Sequence, residues 1–223
     1  MRRLANGLRY ATVVFDVDST LAALEGIDWL AEQRSPEVAR ACTDLTARAM
    51  AGEMPLEDVY LWRVQAIAPT AAEIGALSDA YREAVQPGAV ELIAALRDAG
   101  CAVHVLSGGL RAALLPLAHD LGVPSDQVHA VTLATDASGR YVALDGDQPL
   151  ATQLGKAKVL ASLQLERPVV MIGDGSTDAA ARGVTEGFIA YTGVARRPSV
   201  VAVADAEASS FAALALLLFK VMP

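Results

Sequence analysis

Val13-Val14-Phe15-Asp16-Val17-Asp18-Ser19-Thr20-Leu21 runs from an apolar segment straight into two aspartates one residue apart, then a hydroxyl pair. Residues i and i+2 of a strand point the same way. At the carboxyl end of a strand in an open α/β sheet, they converge on the crevice where ligands bind. Two neighbouring carboxylates repel each other unless a cation lies between them. The stretch therefore predicts a strand followed by an acidic pocket. Taken alone, it fits better the plainer reading of a buried strand and a polar cap on the next helix. Three later stretches tip the balance.

No strand-like alternation follows between Leu21 and Val85. Apolar residues recur at helical spacing over residues 21–33, 36–51 and 55–68, with Gly52 as a stop. Thr70 caps a fourth helix that runs through Ala84. An all-helical block after a first strand predicts a cap over the site. From Pro87-Gly88 onward, helices and strands alternate. Helix 89–99 precedes strand 101–106, which ends in Ser107-Gly108-Gly109. Helix 110–121 contains Pro116, expected to kink or delimit it. Residues 128–134 and 141–144 flank Asp136-Ala137-Ser138-Gly139-Arg140, a hairpin signal. Helix 152–165 leads to strand 168–172, which ends in Gly173-Asp174-Gly175-Ser176-Thr177-Asp178. A helix over 178–182 and strands over 187–191 and 200–203 complete the chain. The alternation predicts an α/β protein with a Rossmann-like parallel sheet and right-handed crossovers. Residues 1–21 and 86–223 form its core, and 22–85 its inserted helical cap.

Three strands thus end in polar loops that open at one edge of the sheet. Ser107 with two glycines offers a hydroxyl and unobstructed N–H groups, which suits an oxyanion, although a plain strand-to-helix turn is the commoner meaning of that tripeptide. Glycines on both sides of Asp174 let the chain turn tightly and present its carboxylate. Asp178 falls in the first helical turn, where the macrodipole alone favours an acid. Carboxylates are hard oxygen ligands, and magnesium takes one or two of them with substrate phosphate and water. Lys156 and Lys158 are two of only three lysines, and either can neutralise charge near the loops.

The chain has 223 residues and a formal net charge of -8. That balance argues against nucleic acid, whose affinity rests on phosphate neutralisation by Lys and Arg. It leaves room for a small anionic substrate at a locally positive site. Cys42 and Cys101 lack metal-site spacing or a disulfide framework, so free thiols in a reducing, cytoplasmic setting are expected. Asn6, Gly7 and Arg9 interrupt any leader-like apolar region, and the apolar run 211–219 is too short to span a bilayer. No membrane partner is expected.

Asp-Val-Asp-Ser-Thr-Leu, then Ser-Gly-Gly, then Gly-Lys, then Gly-Asp-Gly-Ser-Thr-Asp resembles, in order and spacing across nearly the whole chain, the phosphoserine phosphatases of the haloacid dehalogenase superfamily. Glu25-Gly26-Ile27-Asp28, Arg48-Ala49-Met50-x-Gly52 and Arg63 extend the likeness into the helical insert. The resemblance implies Asp16 as nucleophile and Asp18 as general acid, then base. It implies magnesium held by Asp16, the backbone carbonyl of Asp18 and Asp174, with Asp178 supporting the ion from behind. Lys156, which directly follows Gly155 as the family's lysine follows its glycine, would be the catalytic lysine. Ser107, Gly108 and Lys156 would hold the phosphoryl oxygens, with Gly109 and Thr177 among the substrate-binding residues. Glu25 would meet its ammonium, Arg63 its carboxylate, and Met50 would line the pocket. The implied reaction is hydrolysis of L-phosphoserine in serine biosynthesis, by a monomer or homodimer.

Three departures accompany the likeness. Thr177 stands where many members carry Asn, and since both can hydrogen-bond little change is expected. Val131 stands where family members often carry Asn. The stretch containing Arg196 and Arg197 is richer in arginine than the resemblance accounts for. Two further readings stand beside the first: a phosphatase or phosphotransferase for another small phosphomonoester, and a non-catalytic phosphate-binding protein. The second asks no pairing of Asp16 with Asp18, and dehalogenation asks for no acid at Asp18.

Overall fold

The computed structural model describes residues 7–50 and 54–220; the side chains of residues 47, 49 and 50 fall outside that description. Strand β1 (Thr12–Phe15) is buried along its whole length. Val13 and Phe15 enter one apolar cluster and Val14 enters another, on the opposite face of the sheet. Apolar cover on both faces is what a parallel sheet requires. Helices α1 (Gly26–Arg34), α2 (Pro36–Met50), α3 (Leu56–Ile67) and α4 (Ala71–Glu83) follow. Then come α5 (Ala89–Asp98), β2 (Ala102–Leu110), α6 (Arg111–Asp120), β3 (Val128–Val131), β4 (Leu133–Thr135) and β5 (Tyr141–Leu144). The chain ends with α7 (Gly155–Ser162), β6 (Val169–Gly173), α8 (Ser176–Ala179), β7 (Gly187–Tyr191), α9 (Pro198–Val201), β8 (Ala206–Ala208) and α10 (Phe211–Leu218).

The main sheet has the order β3-β2-β1-β6-β7-β8, with every neighbouring pair parallel. The chain winds from β1 out to β3, then returns to the other side of β1 as β6. The winding therefore reverses between β1 and β6, and the loops after those two strands flank the crevice. The α/β class and the parallel core are as the sequence predicts.

Several elements differ from expectation. Residues 107–109 continue β2 instead of ending it. A register shift between Leu106 and Leu110 absorbs the glycines while pairing with β3 goes on. Residues 128–134 split: β3 joins the main sheet, and only β4 pairs with β5 in the hairpin. Residues 200–203 are no strand. Pro198 opens α9, and Ala202 N–H donates to the Pro198 carbonyl at 3.0 Å, so local bonds override the β-branched composition. Pro116 neither delimits nor ends α6. Ala113, Leu114, Leu117 and Ala118 of that helix are buried, and α6 packs on α4. That burial outweighs the roughly 3 kcal/mol cost of an interior proline.

Helices α1 to α4 leave and rejoin the rest of the chain through adjacent backbone. Gln86 N–H donates to the Leu21 carbonyl at 2.9 Å, and Ala23 N–H to the Ala84 carbonyl at 2.8 Å. Thr70 caps α4 with a full capping box to Glu73, as its sequence position predicts. The β4–β5 hairpin braces the same helix end, Ala71 N–H reaching the Gly139 carbonyl at 2.8 Å. Cys42 and Cys101 are buried and unpaired. Among the described residues no helix is long and apolar enough to cross a membrane, and α10 buries Phe211, Leu214 and Leu218.

His104 on β2 and His129 on β3 stack, with Nδ1 and Nε2 3.2 Å apart. Burial, with His129 adding, pushes His104 down to about 4; burial, with Arg111 adding, lowers His129 too. The unfolded chain then binds protons first as pH falls from about 6.5. The pair's contribution is complete above that pH and is lost on the way down toward 4. We expect Tm to fall between pH 6.5 and 5, and the fall to flatten in His104→Phe. An unchanged acid slope in that variant, read by thermal melts, would reject the pair as its source.

Candidate active site

A cavity of about 320 Å³ opens where the winding reverses. Asp16 and Asp18 enter it from the end of β1, Gly108 from β2, Lys156 from α7, Asp174 from the turn after β6 and Thr177 from α8. Glu25, Thr46, Leu56 and Tyr60 close it from the side of the helical insert.

Its floor is a chain of buried charges. Lys156 Nζ lies 2.8 Å from Asp16 Oδ1 and 2.6 Å from Asp178 Oδ1. Burial works against the ammonium, but the two carboxylates outweigh it and push its pKa up, so Lys156 remains a cation. Asp16 Oδ1 also accepts from Val17 N–H at 2.8 Å. Asp178 Oδ2 accepts from Gly175 N–H at 2.9 Å, so both oxygens of Asp178 are engaged within the protein. Two glycines permit this packing. A Cβ at Gly155 would lie 1.8 Å from the Pro149 carbonyl oxygen, and one at Gly173 would lie 2.2 Å from Asp178 Cγ. Glycine before Lys156 and glycine before Asp174 are thus steric necessities of the site.

Asp18 faces a different environment. Ser19 adopts the left-handed conformation (φ 52°) in the turn just past it. Asp18 Oδ1 accepts from the Tyr81 hydroxyl at 2.5 Å and from Gly26 N–H at 3.4 Å. Burial pushes the Asp18 carboxyl up to about 8, the Glu25 and Asp16 carboxylates adding to it against those two hydrogen bonds. Asp16 beside an ammonium and Asp18 beside a phenol are two carboxylates with divergent tasks. The first is held by Lys156 and the Val17 N–H, and the second is able to carry a proton at neutral pH.

Tyr81 comes from α4 and is fully buried. Tyr60, from α3, donates to the Gly108 carbonyl at 2.7 Å. Both phenols tie the insert to the catalytic strands, and neither is evident in the sequence, where they read as apolar positions of helices. The available signal was that a buried tyrosine needs a partner for its hydroxyl. Tyr81→Phe keeps the packing and removes the donor that fixes Asp18. We expect kcat to fall about 10-fold, the order of one hydrogen bond to a charged group, with KM little changed. A KM rise at constant kcat would instead assign Tyr81 to substrate binding.

Asp16, Asp174 and Asp178 offer carboxylate oxygens within 4.8 Å of one another. Asp174 Oδ1 accepts from Thr20 Oγ1 at 3.4 Å, whereas Oδ2 is buried without a hydrogen bond and meets only the guanidinium of Arg197 as an ion pair. Hard oxygen donors, one of them without a hydrogen bond, fit a divalent cation. Asp178 is already saturated by Lys156 and Gly175, which suits a supporting role behind the ion.

Not every candidate reaches the cavity. Ser107 is fully buried, and its Oγ accepts from Gly109 N–H at 3.0 Å, so those two groups are turned toward each other, while Gly108 lines the space. Glu25 lines it too, held by Ser19 Oγ at 2.6 Å. Arg63 does not line it; its guanidinium pairs with Asp28 on α1. The Met50 side chain lies outside the described residues. Val131 is fully buried in β3, away from the cavity lining.

A model of the haloacid dehalogenase-like hydrolase family matches residues 13–181. The chain is 37% identical over 198 residues to a chloroplastic phosphoserine phosphatase of Arabidopsis thaliana, covering 86% of this chain and 66% of that protein. It is 35% identical over 191 residues to a phosphoserine phosphatase of Rattus norvegicus, covering 84% of each. A solved phosphoserine phosphohydrolase-like protein from Francisella tularensis superposes with a TM-score of 0.80 at 29% identity, over 92% of this chain and 98% of that one.

Proposed function

The chain belongs to the haloacid dehalogenase-like hydrolase family, and on that footing we propose that it hydrolyses L-phosphoserine to L-serine and phosphate with magnesium, through a phosphorylated Asp16. The observation that carries this reading is the Asp16 carboxylate at 2.8 Å from Lys156 on the cavity floor, with Asp18 beside it able to hold a proton. Asp16 attacks phosphorus, and the bond to the seryl oxygen breaks as Asp18 gives that oxygen its proton. Asp18, now a carboxylate, takes a proton from water, which attacks phosphorus, releases phosphate and restores Asp16. Lys156 screens the approach of one anion to another. Asp16, Asp174 and the Asp18 carbonyl would hold magnesium, which would supply further positive charge there. Residues 22–85 act as the cap that keeps bulk water out, with Tyr60 and Tyr81 as its fastenings. Buried, unpaired cysteines support action in the cytoplasm, in serine biosynthesis.

Glu25 suits the substrate ammonium. Arg63 takes the carboxylate only by leaving Asp28, and that pairing favours a second reading: a small phosphomonoester without a carboxylate. A panel of phosphomonoesters, assayed with magnesium and with chelator, separates the two. Phosphoserine at least about 100-fold ahead in kcat/KM, and silence with chelator, is the expected result. A flat profile would withdraw phosphoserine, and Arg63→Ala that slows phosphoserine and an aryl phosphate equally would withdraw Arg63.

A further inference from the structure

Arg196 and Arg197 are neighbours with opposite duties. Arg196 forms a two-pronged pair with Glu207 on β8, Nε to Oε1 at 2.9 Å and Nη2 to Oε2 at 3.1 Å. Thr192 Oγ1 reaches the same carboxylate at 3.1 Å, and Thr192 N–H donates to the Ala208 carbonyl at 2.8 Å. The loop after β7 is thereby clamped to the sheet edge. Arg197 follows in extended backbone (φ -105°, ψ 106°), just before Pro198 opens α9. Arg196 is thus held at the sheet edge, while Arg197 lines the cavity.

There Arg197 meets three acceptors. Nη1 pairs with the Asp174 carboxylate at Oδ2 and approaches the Asp174 carbonyl at 3.3 Å; Nη2 lies 3.7 Å from Glu25 Oε1. Among the described residues, it and Lys156 are the cations that line the cavity. Lys156 is committed to Asp16 and Asp178, and among the described residues it is Arg197 that compensates Asp174, the remaining carboxylate of the acidic cluster.

We propose that Arg197 is a resident cation of this site, one that holds the Asp174 carboxylate and that a divalent ion must displace to bind. The inference rests on the phosphatase reading only for the identity of the site; it concerns the protein without substrate. It accounts for an arginine pair that the family resemblance leaves unexplained. Two consequences follow from linkage. Removing Arg197 tightens the metal, because one charged contact no longer has to be broken. It also lowers the stability of the ion-free protein, because Asp174 is left buried without a counter-charge.

The test is calorimetric titration of Mg2+ and of Mn2+ into metal-free wild type, Arg197→Met and Arg197→Lys, with no substrate present. We expect Arg197→Met to bind about 10-fold more tightly, the scale of one partly exposed charged contact. Arg197→Lys should fall between, since a single ammonium cannot serve Asp174 and Glu25 together. Thermal melts in chelator should place Arg197→Met below wild type, with the order reversed or closed at saturating magnesium. Equal metal affinity in wild type and Arg197→Met overturns the proposal, whatever the activity assays show. An Arg197→Lys affinity identical to wild type, with Met tighter, would also overturn it, reducing the effect to unspecific repulsion. Tighter metal in Arg197→Met alongside a failed phosphoserine assay would keep this inference and remove only the substrate.

Discussion

Asp16→Asn should stop phosphate release from phosphoserine and from an aryl phosphate alike, by on the order of 10^4-fold in kcat, while the protein stays folded. The folding half of that expectation comes from geometry. Asp16 Oδ1 takes both Val17 N–H and the Lys156 ammonium, and an amide oxygen in the same place can accept both. The chemical half comes from what an amide lacks, a charged oxygen able to bond to phosphorus. Asp18→Asn should behave differently. An aryl leaving group needs little protonation, so the first step survives, but water then has no base. Radiolabelled phosphate should therefore accumulate on the Asp18→Asn protein and be absent from Asp16→Asn. Appreciable turnover in Asp16→Asn would remove the nucleophile assignment. Label on Asp16→Asn would remove the covalent route through that residue.

The parts legible in the sequence are those that local chemistry dictates. An apolar run must be a buried strand, and carboxylates at its end must face the sheet's carboxyl edge; Asp16, Asp18 and Asp174 accordingly line one cavity. In the sequence Gly173 reads only as letting the chain turn at Asp174, and Gly155 only as the residue before Lys156; both sit where no Cβ fits. The parts that were illegible depend on neighbours distant in the chain. Tyr81 lies 63 positions from the Asp18 it serves, and Tyr60 lies 48 from Gly108, so no local pattern distinguishes them from ordinary core phenols. Residues 200–203 fail for the opposite reason. Their β-branched side chains argued for a strand, but Pro198 and the first-turn hydrogen bonds commit them to a helix, and the edge strand forms later. Arg197 was visible as an oddity only; its use emerges once Glu207 is seen to hold Arg196.

Lys156→Met carries the largest expected effect on stability as well as abolishing turnover. Lys156 is 4% exposed and is the shared counter-ion of Asp16 and Asp178. Methionine fills much the same volume, so the change is one of charge. Deleting one partner of a buried ion pair costs about 3–5 kcal/mol, because the other partner stays buried and uncompensated. In a chain of this size that is a fall in Tm of about 10 °C. The variant has a way to relieve the cost, which is to protonate one of the two carboxylates. Burial already raises the Asp178 carboxyl to about 7 against the pull of the Lys156 ammonium, so losing that ammonium raises it further above its unfolded value near 3.9, and the folded variant holds a proton that the unfolded chain releases. Stability gained this way is complete below that unfolded value and is lost as pH rises through the folded one. The gap between variant and wild type should accordingly be wide at pH 8 and narrower at pH 5, measured by thermal melts in chelator. A gap independent of pH would mean that packing, not charge, accounts for the loss. Intact stability at both pH values would mean that Asp16 and Asp178 do not need Lys156, and the charged floor of the site would have to be redrawn.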